Sequence, residues 1–496
     1  MTAFEFQGHT LEIVILGGAL LLTLSVLISK FSTKLGVPSL LLFLGLGMLA
    51  GADGPGGIEF DDHRLSYAIG CVCLALIIFD GGMRMPWRSI RAVLPVGISL
   101  SLFGTFATGI LTGTFAYFVL KLSWLEALLL GSIVSPTDAS AVFNILRAKS
   151  LSLKERVKQT LEFEAGSNDA MAIFMTIGIL TLATSHVTGA IAISKLIVLQ
   201  WGLGITFGWL GGKASHWLIN HFGLEYEGLY GVLLFGMVLV IFAATASMGG
   251  SGYLAVYIAG LVLGNSDMIH KGSVTRFLDG MAWIAQILIF LTLGLLSYPS
   301  HLLMVWKEGL LLAFFLMFIA RPLSVLMATP GTILAKKERL FISWVGLRGA
   351  TPIILAILPW SLGFPKAEYI FNLIFFVVLT SVIIQGISIS FIAKRLGITV
   401  PFREKLANWF AGDMLPVEFV PIEVEVKYGA PAENHRIIDL RLPPGVLLTS
   451  LQRSQRYLIP RGQTTLAAGD KIRGLARQSN LESLQVIFGI AKPLQK

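Results

Sequence analysis

The sequence predicts an all-α polytopic membrane protein of about 13 transmembrane helices, followed by a small α/β cytoplasmic domain. Three observations predict it. The 496 residues are 55% hydrophobic and only 14% charged, the mean hydropathy is +0.77, and bilayer-length apolar runs follow one another from Leu11 to the neighbourhood of Arg395. Soluble domains carry about a quarter charged residues, so a water-soluble enzyme is excluded. The 38 Lys and Arg against 29 Asp and Glu leave a net charge of +9. In so apolar a chain this excess reports cytoplasmic loops and gives no reason to expect nucleic acid.

A hydrocarbon core of roughly 30 Å needs about 20 apolar residues of helix. Runs of that kind begin near Leu11, Val37, Leu65, Ile90, Leu125, Leu161, Ile191, Gly228, Gly252, Phe277, Leu302, Leu340 and Ala367. Met1–Glu12 lacks the basic region and small-residue cleavage site of a secretory signal, so the first run is expected to stay as a span. Cys71 and Cys73 both lie within Leu65–Phe79; a disulfide framework is excluded, and neither a cofactor nor a resident metal is expected.

Charge orients the spans. Basic residues collect after every second run: Lys30 and Lys34; Arg84, Arg88 and Arg91; Arg147, Lys149, Lys154, Arg156 and Lys158; Lys213; Lys271 and Arg276; Lys336, Lys337 and Arg339; then Lys394, Arg395, Arg403 and Lys405. The alternate loops are poor in basic residues or acidic, as at Asp53, Glu59, Asp61 and Asp62. The positive-inside rule then puts the N-terminus outside and the C-terminus in the cytoplasm.

Residues 1–400 therefore read as the transmembrane domain and 401–496 as a separate cytoplasmic domain. In the latter, Val420–Val426 alternates apolar with acidic residues as a half-buried strand does. Gly445–Leu451, Arg456–Pro460 and Lys471–Ala476 read as further strands, Ala468-Gly469-Asp470 as a turn and Asn480–Phe488 as a closing helix. No GxGxxG run occurs in it, so a complete dinucleotide site is not expected.

An ionisable side chain at bilayer depth costs at least about 2.5–3.5 kcal/mol on insertion scales, which makes each one a functional candidate. Asp80, Asp138, Glu162, Glu164, Asp169, Lys195, Arg321 and Arg348 are in this position. Helix breakers flank two of them: Ser135-Pro136-Thr137 precedes Asp138, and Gly346, Gly349 and Pro352 surround Arg348. Interrupted spans, one in each half of a chain, point to a transport site at the midplane of inverted repeats, so two crossing interrupted helices are expected. Glu162 and Asp169 are seven apart and share a helix face, with Glu164 and Asn168 on the adjacent one. A carboxylate in a partly desolvated cavity can hold a proton or a dehydrated monovalent cation but not both, and that exclusion is an exchange mechanism. Asp169 fits this role, because Asn168 beside it adds amide groups without a second titrating charge. Thr137 can add hard oxygen ligands. Asp138 suits compensation of free amides at the helix break as well as it suits the site itself. Glu164 with Arg348 reads as a pair fixing helix positions, Asp80 as a cavity-mouth or capping charge near Arg84, and Arg321 and Lys195 as structural or snorkelling residues.

SPTDASAVF (Ser135–Phe143), EAGSNDAMAIF (Glu164–Phe174), GSGYLAVYIAGLVLGN (Gly250–Asn265) and FISWVGLRGATPIILA (Phe341–Ala356) together resemble the monovalent cation:proton antiporters, in their NhaP-like potassium/proton branch. The resemblance implies an ion and proton site at Asn168 and Asp169, with Thr137 and Asp138 at the crossing of unwound helices and a Glu164–Arg348 bridge. It further implies electroneutral exchange of K+ for H+, with Na+ as the alternative cation, and a homodimer whose core domain moves against a dimerisation domain. RIIDLRLPPGVLLTSLQR and YLIPRGQTTLAAGDKIRG resemble the TrkA-C (RCK-C) module, which implies regulation by a cytosolic small-molecule ligand. A ligand-gated potassium conductance is the other class to weigh; no TVGYG-like filter occurs in the chain.

Overall fold

The computed structural model describes residues 5–6, 9–35, 38–87, 91–149, 151–184, 190–401, 419–453 and 456–493. The chain divides into two compact units, one of Met1–Lys149 with Leu153–Thr399 and a second that includes Val400–Lys496.

The first unit is helical. Its helices are α1 Leu11–Leu35, α2 Ser39–Ala50, α3 His63–Met83, α4 Leu94–Val119, α5 Trp124–Val134, α6 Ala139–Ala148, α7 Glu155–Thr184 and α8 Ala190–His221. They continue as α9 Glu227–Ser247, α10 Gly252–Gly264, α11 Lys271–Leu296, α12 Trp306–Ala328, α13 Lys336–Trp344, α14 Ala350–Ser361 and α15 Ala367–Arg395. Among the described residues nine spans are long and apolar enough to cross a membrane; α2, α10 and α14 are shorter apolar helices. Every expected starting point falls inside one of these helices except Leu302, which lies in the short helix Pro299–Met304 just before α12, and Val37 and Ile90, which lie outside the described residues. Helices α7 and α11 start six residues before their apolar runs, at Glu155 and Lys271, because a charged first turn belongs to the helix but not to the hydrocarbon.

The helices form a repeat. Leu11 and Glu227, Ser39 and Gly252, His63 and Lys271, Leu94 and Trp306, Trp124 and Lys336, Ala139 and Ala350, and Glu155 and Ala367 open matching helices. Even local irregularities recur: α4 has a π-turn at Leu100–Gly104 and α12 has one at Leu316–Ala320. The capping carboxylates recur too, Glu126 accepting from the Ser123 N–H at 2.8 Å and Glu338 from the Ala335 N–H at 2.9 Å. Of the helices named above and among the described residues, α8 alone has no mate, so the second set enters the membrane after an odd number of crossings and runs in the opposite sense. These are inverted repeats, visible as geometry although no residue identity announced them.

The symmetry extends to packing. Helix α2 packs on α11, and its mate α10 packs on α3, the mate of α11. Both crossings are backbone-close: a Cβ on Gly47 would stand 2.5 Å from the Leu291 carbonyl oxygen, and one on Gly260 would stand 2.3 Å from that of Phe79. Where bilayer lipid is as apolar as the helices, such close approach is what drives association. Gly260→Val is expected to lower the stability of the detergent-solubilised protein by about 1–3 kcal/mol, read as a fall in its melting temperature.

The second unit carries a five-stranded antiparallel sheet. Its strands β1 Phe419–Val426, β2 Val446–Arg453, β3 Arg456–Leu458, β4 Lys471–Arg477 and β5 Gly489–Pro493 lie in the order β3-β2-β4-β1-β5. Ile422, Val424 and Val426 are buried on one face of β1, under Leu484 and Phe488 of helix α16, Leu481–Phe488. The expected alternation at Val420–Val426 is thus a strand edge-to-edge with two others. Strand β5 and the 3-10 turn Ile437–Leu440 had no local signal, since one takes its register from β1 and the other from tertiary packing.

Candidate functional site

Helix α5 ends at Val134 because Pro136 cannot donate to the helix ladder, and the chain stays non-helical until α6 starts at Ala139. In the mated pair, α13 ends at Trp344 and α14 starts at Ala350, with Gly346 and Gly349 in the gap. The two gaps cross: the Asp138 N–H donates to the Leu347 carbonyl at 2.7 Å. Four helix ends therefore meet inside one membrane unit, two presenting free amides and two presenting free carbonyls.

The charges answer those ends by sign. Asp138 Oδ1 accepts from the Ser140 N–H at 2.8 Å and the Ala141 N–H at 3.3 Å, capping α6, and from Ser140 Oγ at 2.5 Å. The same carboxylate lies against the entrance to α14, where a Cβ on Gly349 would fall 2.5 Å from Asp138 Oδ2. Arg348 does the opposite work: its guanidinium donates to the carbonyls of Ser135 and of Pro136, the latter at 2.8 Å, at the carbonyl end of α5. Its own N–H donates to Ser381 Oγ at 3.2 Å. Gln385 closes the end of α13 by donating to the Trp344 carbonyl at 2.7 Å.

This corrects the expected Glu164–Arg348 bridge. Glu164 pairs with Arg321 at 2.7 Å, and both side chains are almost fully buried, 1% and 2% exposed. Arg348 is drawn instead to the free carbonyls that the interrupted helix leaves, a demand that spacing along the sequence does not reveal. Arg321 consequently does not snorkel; it comes directly after the π-turn of α12 and is buried. The side chain of Lys195 lies outside the described residues. Asp80, near the end of α3, pairs with Arg84 at 2.8 Å, and Arg84 also binds Asp279 of α11. That arrangement is a capping charge network at a helix end.

Asn168 and Asp169 face different partners. Asn168 is fully buried and donates to Thr137 Oγ1 at 2.8 Å and to the Thr137 carbonyl at 3.3 Å, tying α7 to the first gap. Asp169 Oδ2 accepts from Thr351 Oγ1 of α14 at 3.1 Å, tying α7 to the second. Among the described residues no Lys, Arg or His stands within ion-pair distance of Asp169, whose side-chain partner is Thr351. Glu162, on the expected shared face, instead pairs with Lys158 at 3.3 Å. The structure so brings Thr137, Asp138, Asn168, Asp169 and Arg348 together at the crossing and sets Glu164 and Asp80 in separate ion pairs.

Two residues here were not singled out from the sequence, Thr351 and Ser381. The repeat would have found Ser381, which occupies in α15 the position of Asp169 in α7, just as Gly349 occupies that of Asp138. Chemically, the crossing offers a carboxylate without a counter-ion among the described residues, hydroxyl and carbonyl oxygens beside it, and helix ends already neutralised. Hard oxygens of this kind suit a proton or an alkali cation.

The profile of the family described as "Sodium/hydrogen exchanger, transmembrane" matches residues 20–395, and that of the TrkA-C domain matches residues 422–489. The chain is 42% identical over 483 residues to the K(+)/H(+) antiporter NhaP2 of Shewanella sp. (strain ANA-3), covering 96% of this chain and 83% of that one. It is 35% identical to the K(+)/H(+) antiporter NhaP of Alkalimonas amylolytica, covering 98% and 84%. Among solved structures, the sodium proton antiporter MjNhaP1 from Methanocaldococcus jannaschii at pH 8 is similar with a TM-score of 0.67 and 26% identity, covering 76% of this chain and 99% of that one.

Proposed function

This chain belongs to the sodium/hydrogen exchanger family, and from that premise we propose that it exchanges K+ for H+, one for one, by competition at Asp169. It is a multi-pass membrane protein and a cation:proton antiporter; the cation, the stoichiometry and the carrier residue are the proposal. The observation that carries it is a lone carboxylate at the middle of a membrane-crossing helix, held by the Thr351 hydroxyl and by no basic side chain among the described residues. A negative charge so placed is stable only with a mobile partner, and the partners of suitable size and charge are a proton and a monovalent cation. One-for-one exchange is supported by Asn168, whose neutral amide, bonded to Thr137, adds no second titrating charge beside Asp169.

Potassium in preference to sodium is supported by the names of the 42% and 35% identical relatives, whereas the similar solved structure is named for sodium. Purified protein reconstituted with a pH-sensitive dye is expected to release protons on addition of KCl at lower concentration than NaCl. The rate is expected to stay the same when gradients of the permeant anion thiocyanate set the membrane potential to different values at fixed K+ and pH. A sodium preference, or a rate that follows the potential, sinks the corresponding half of the reading. We further propose an outside N-terminus and a cytoplasmic C-terminus, on the charge alternation of the loops. A homodimer, and regulation through a small-molecule ligand of the 401–496 domain, complete the proposal.

A further inference from the structure

The two gaps differ in what holds them. The first is tied to the helix that follows it in its own half, by Asn168 of α7 on Thr137. The second, residues 345–349, is tied to the matching helix α15, but by two side chains in series. Gln385 donates to the carbonyl of Trp344, the last residue of α13, at 2.7 Å. Its Oε1 accepts from Ser381 Oγ at 2.5 Å, and the same Ser381 Oγ accepts the Arg348 N–H at 3.2 Å. Ser381 and Gln385 are four apart and so share one face of α15, and each is 1% exposed. One buried clamp therefore grips both ends of the gap. Between its grips lies Leu347, whose carbonyl receives the Asp138 N–H. Three residues beyond Arg348 stands Thr351, which donates to Asp169 at 3.1 Å.

We propose that Gln385, acting through Ser381, is a positioning residue for cation transport: it fixes the backbone of the second gap so that Thr351 meets Asp169. The proposal rests on the reading of Asp169 as the carrier. Non-helical backbone at membrane depth takes its shape from the groups that satisfy it, and here those are Gln385 at one end and Ser381 at the other. Gly346 within the gap and Gly349 at the entrance to α14 give the segment little stiffness of its own. The direction of α14, and with it the place of Thr351, follows the clamp. A gap that shifts costs Asp169 its hydroxyl partner. That loss falls on cation binding, because the hydroxyl donates to the ionised carboxylate that receives K+.

Gln385→Met keeps the length of the side chain and removes both hydrogen bonds; Ser381→Ala removes the relay, and Ser381→Thr keeps a hydroxyl in its place. In the reconstituted whole chain, Gln385→Met and Ser381→Ala are each expected to raise the apparent KM for K+ by about threefold to tenfold, the affinity equivalent of one hydrogen bond, with kcat kept within about twofold. Ser381→Thr is expected to stay near the unsubstituted protein. Thr351→Val is expected to raise KM by a similar factor. Gln385→Met added to it is expected to raise KM by less than about twofold more, because both act through one contact. In detergent, Gln385→Met and Ser381→Ala are expected to speed deuterium uptake by the amides of residues 345–349 at least about threefold, with Ser381→Thr unchanged. A Gln385→Met protein that melts earlier with an unaltered KM overturns the proposal, as do effects of Gln385→Met and Thr351→Val that multiply, in both cases with Asp169→Asn inactive. Failure of the carrier reading gives a different pattern. K+-evoked proton release then persists in Asp169→Asn and Thr351→Val leaves KM unchanged, which overturns the route to Asp169, while deuterium uptake over 345–349 still reports whether Gln385 holds the gap.

Discussion

Asp169→Asn is expected to reduce cation-evoked proton release by at least about a hundredfold, which corresponds to ~2.7 kcal/mol in the barrier. The substitution keeps the shape of the side chain and an oxygen that can still accept from Thr351 Oγ1. What it removes is the capacity to gain and lose a proton and to balance a dehydrated cation. Because no basic side chain among the described residues neutralises Asp169, the folded protein loses no ion pair, and its detergent melting temperature is expected to hold or rise. That combination separates a carrier from a structural carboxylate, whose removal would lower stability first. Everted vesicles from cells producing the variant, followed with a pH-sensitive dye during addition of KCl and of NaCl, give the measurement. Release that persists with either salt would falsify the assignment of Asp169.

Arg321→Met is expected to lower stability by about 3–5 kcal/mol, because it strands the buried carboxylate of Glu164 without its partner. The pair is 2.7 Å apart with both members almost inaccessible, so solvent cannot take over. Adding Glu164→Gln to Arg321→Met removes the stranded charge, and the double variant is expected to recover most of the loss. Thermal unfolding of the single and double variants in detergent, read as the interaction between the two substitutions, checks this. Additive effects would show that the two side chains act separately. Arg348 makes the contrast: its partners are main-chain carbonyls of Ser135 and Pro136, so Glu164→Gln is expected to leave Arg348 in place.

The legible parts of this protein are those in which local composition decides. The spans could be placed because each helix carries its own apolar run, and the interruptions because Pro136 and Gly349 act on their own backbone. Asn168, Asp169, Thr137 and Asp138 could be named because polar groups are conspicuous where hydrocarbon is expected. The partners could not be named by the same logic. Glu164 and Arg321 lie far apart in the sequence of the membrane unit, and nothing in either neighbourhood distinguishes Arg321 from Arg348 as the cation that reaches Glu164. The inverted repeat was legible only at its two interrupted spans; its extent was not, since it conserves helix lengths, caps and π-turns while changing the residues between them. Asp169 and Ser381 hold matched places with quite different chemistry.

The sequence by itself determined that this is a membrane protein, where its helices run, where two of them break, and which few ionisable residues enter the bilayer. Hydrophobic transfer and the backbone constraints of proline and glycine act locally, so they can be read along the chain. Only the tertiary structure decided which charge answers which helix end. The crossing of the two gaps places Asp138 at free amides, Arg348 at free carbonyls and Glu164 against Arg321, leaving Asp169 with a hydroxyl and, among the described residues, no counter-ion. Electrostatic pairing depends on distance in space, and at this site that distance is fixed by four helix ends drawn from opposite halves of the chain.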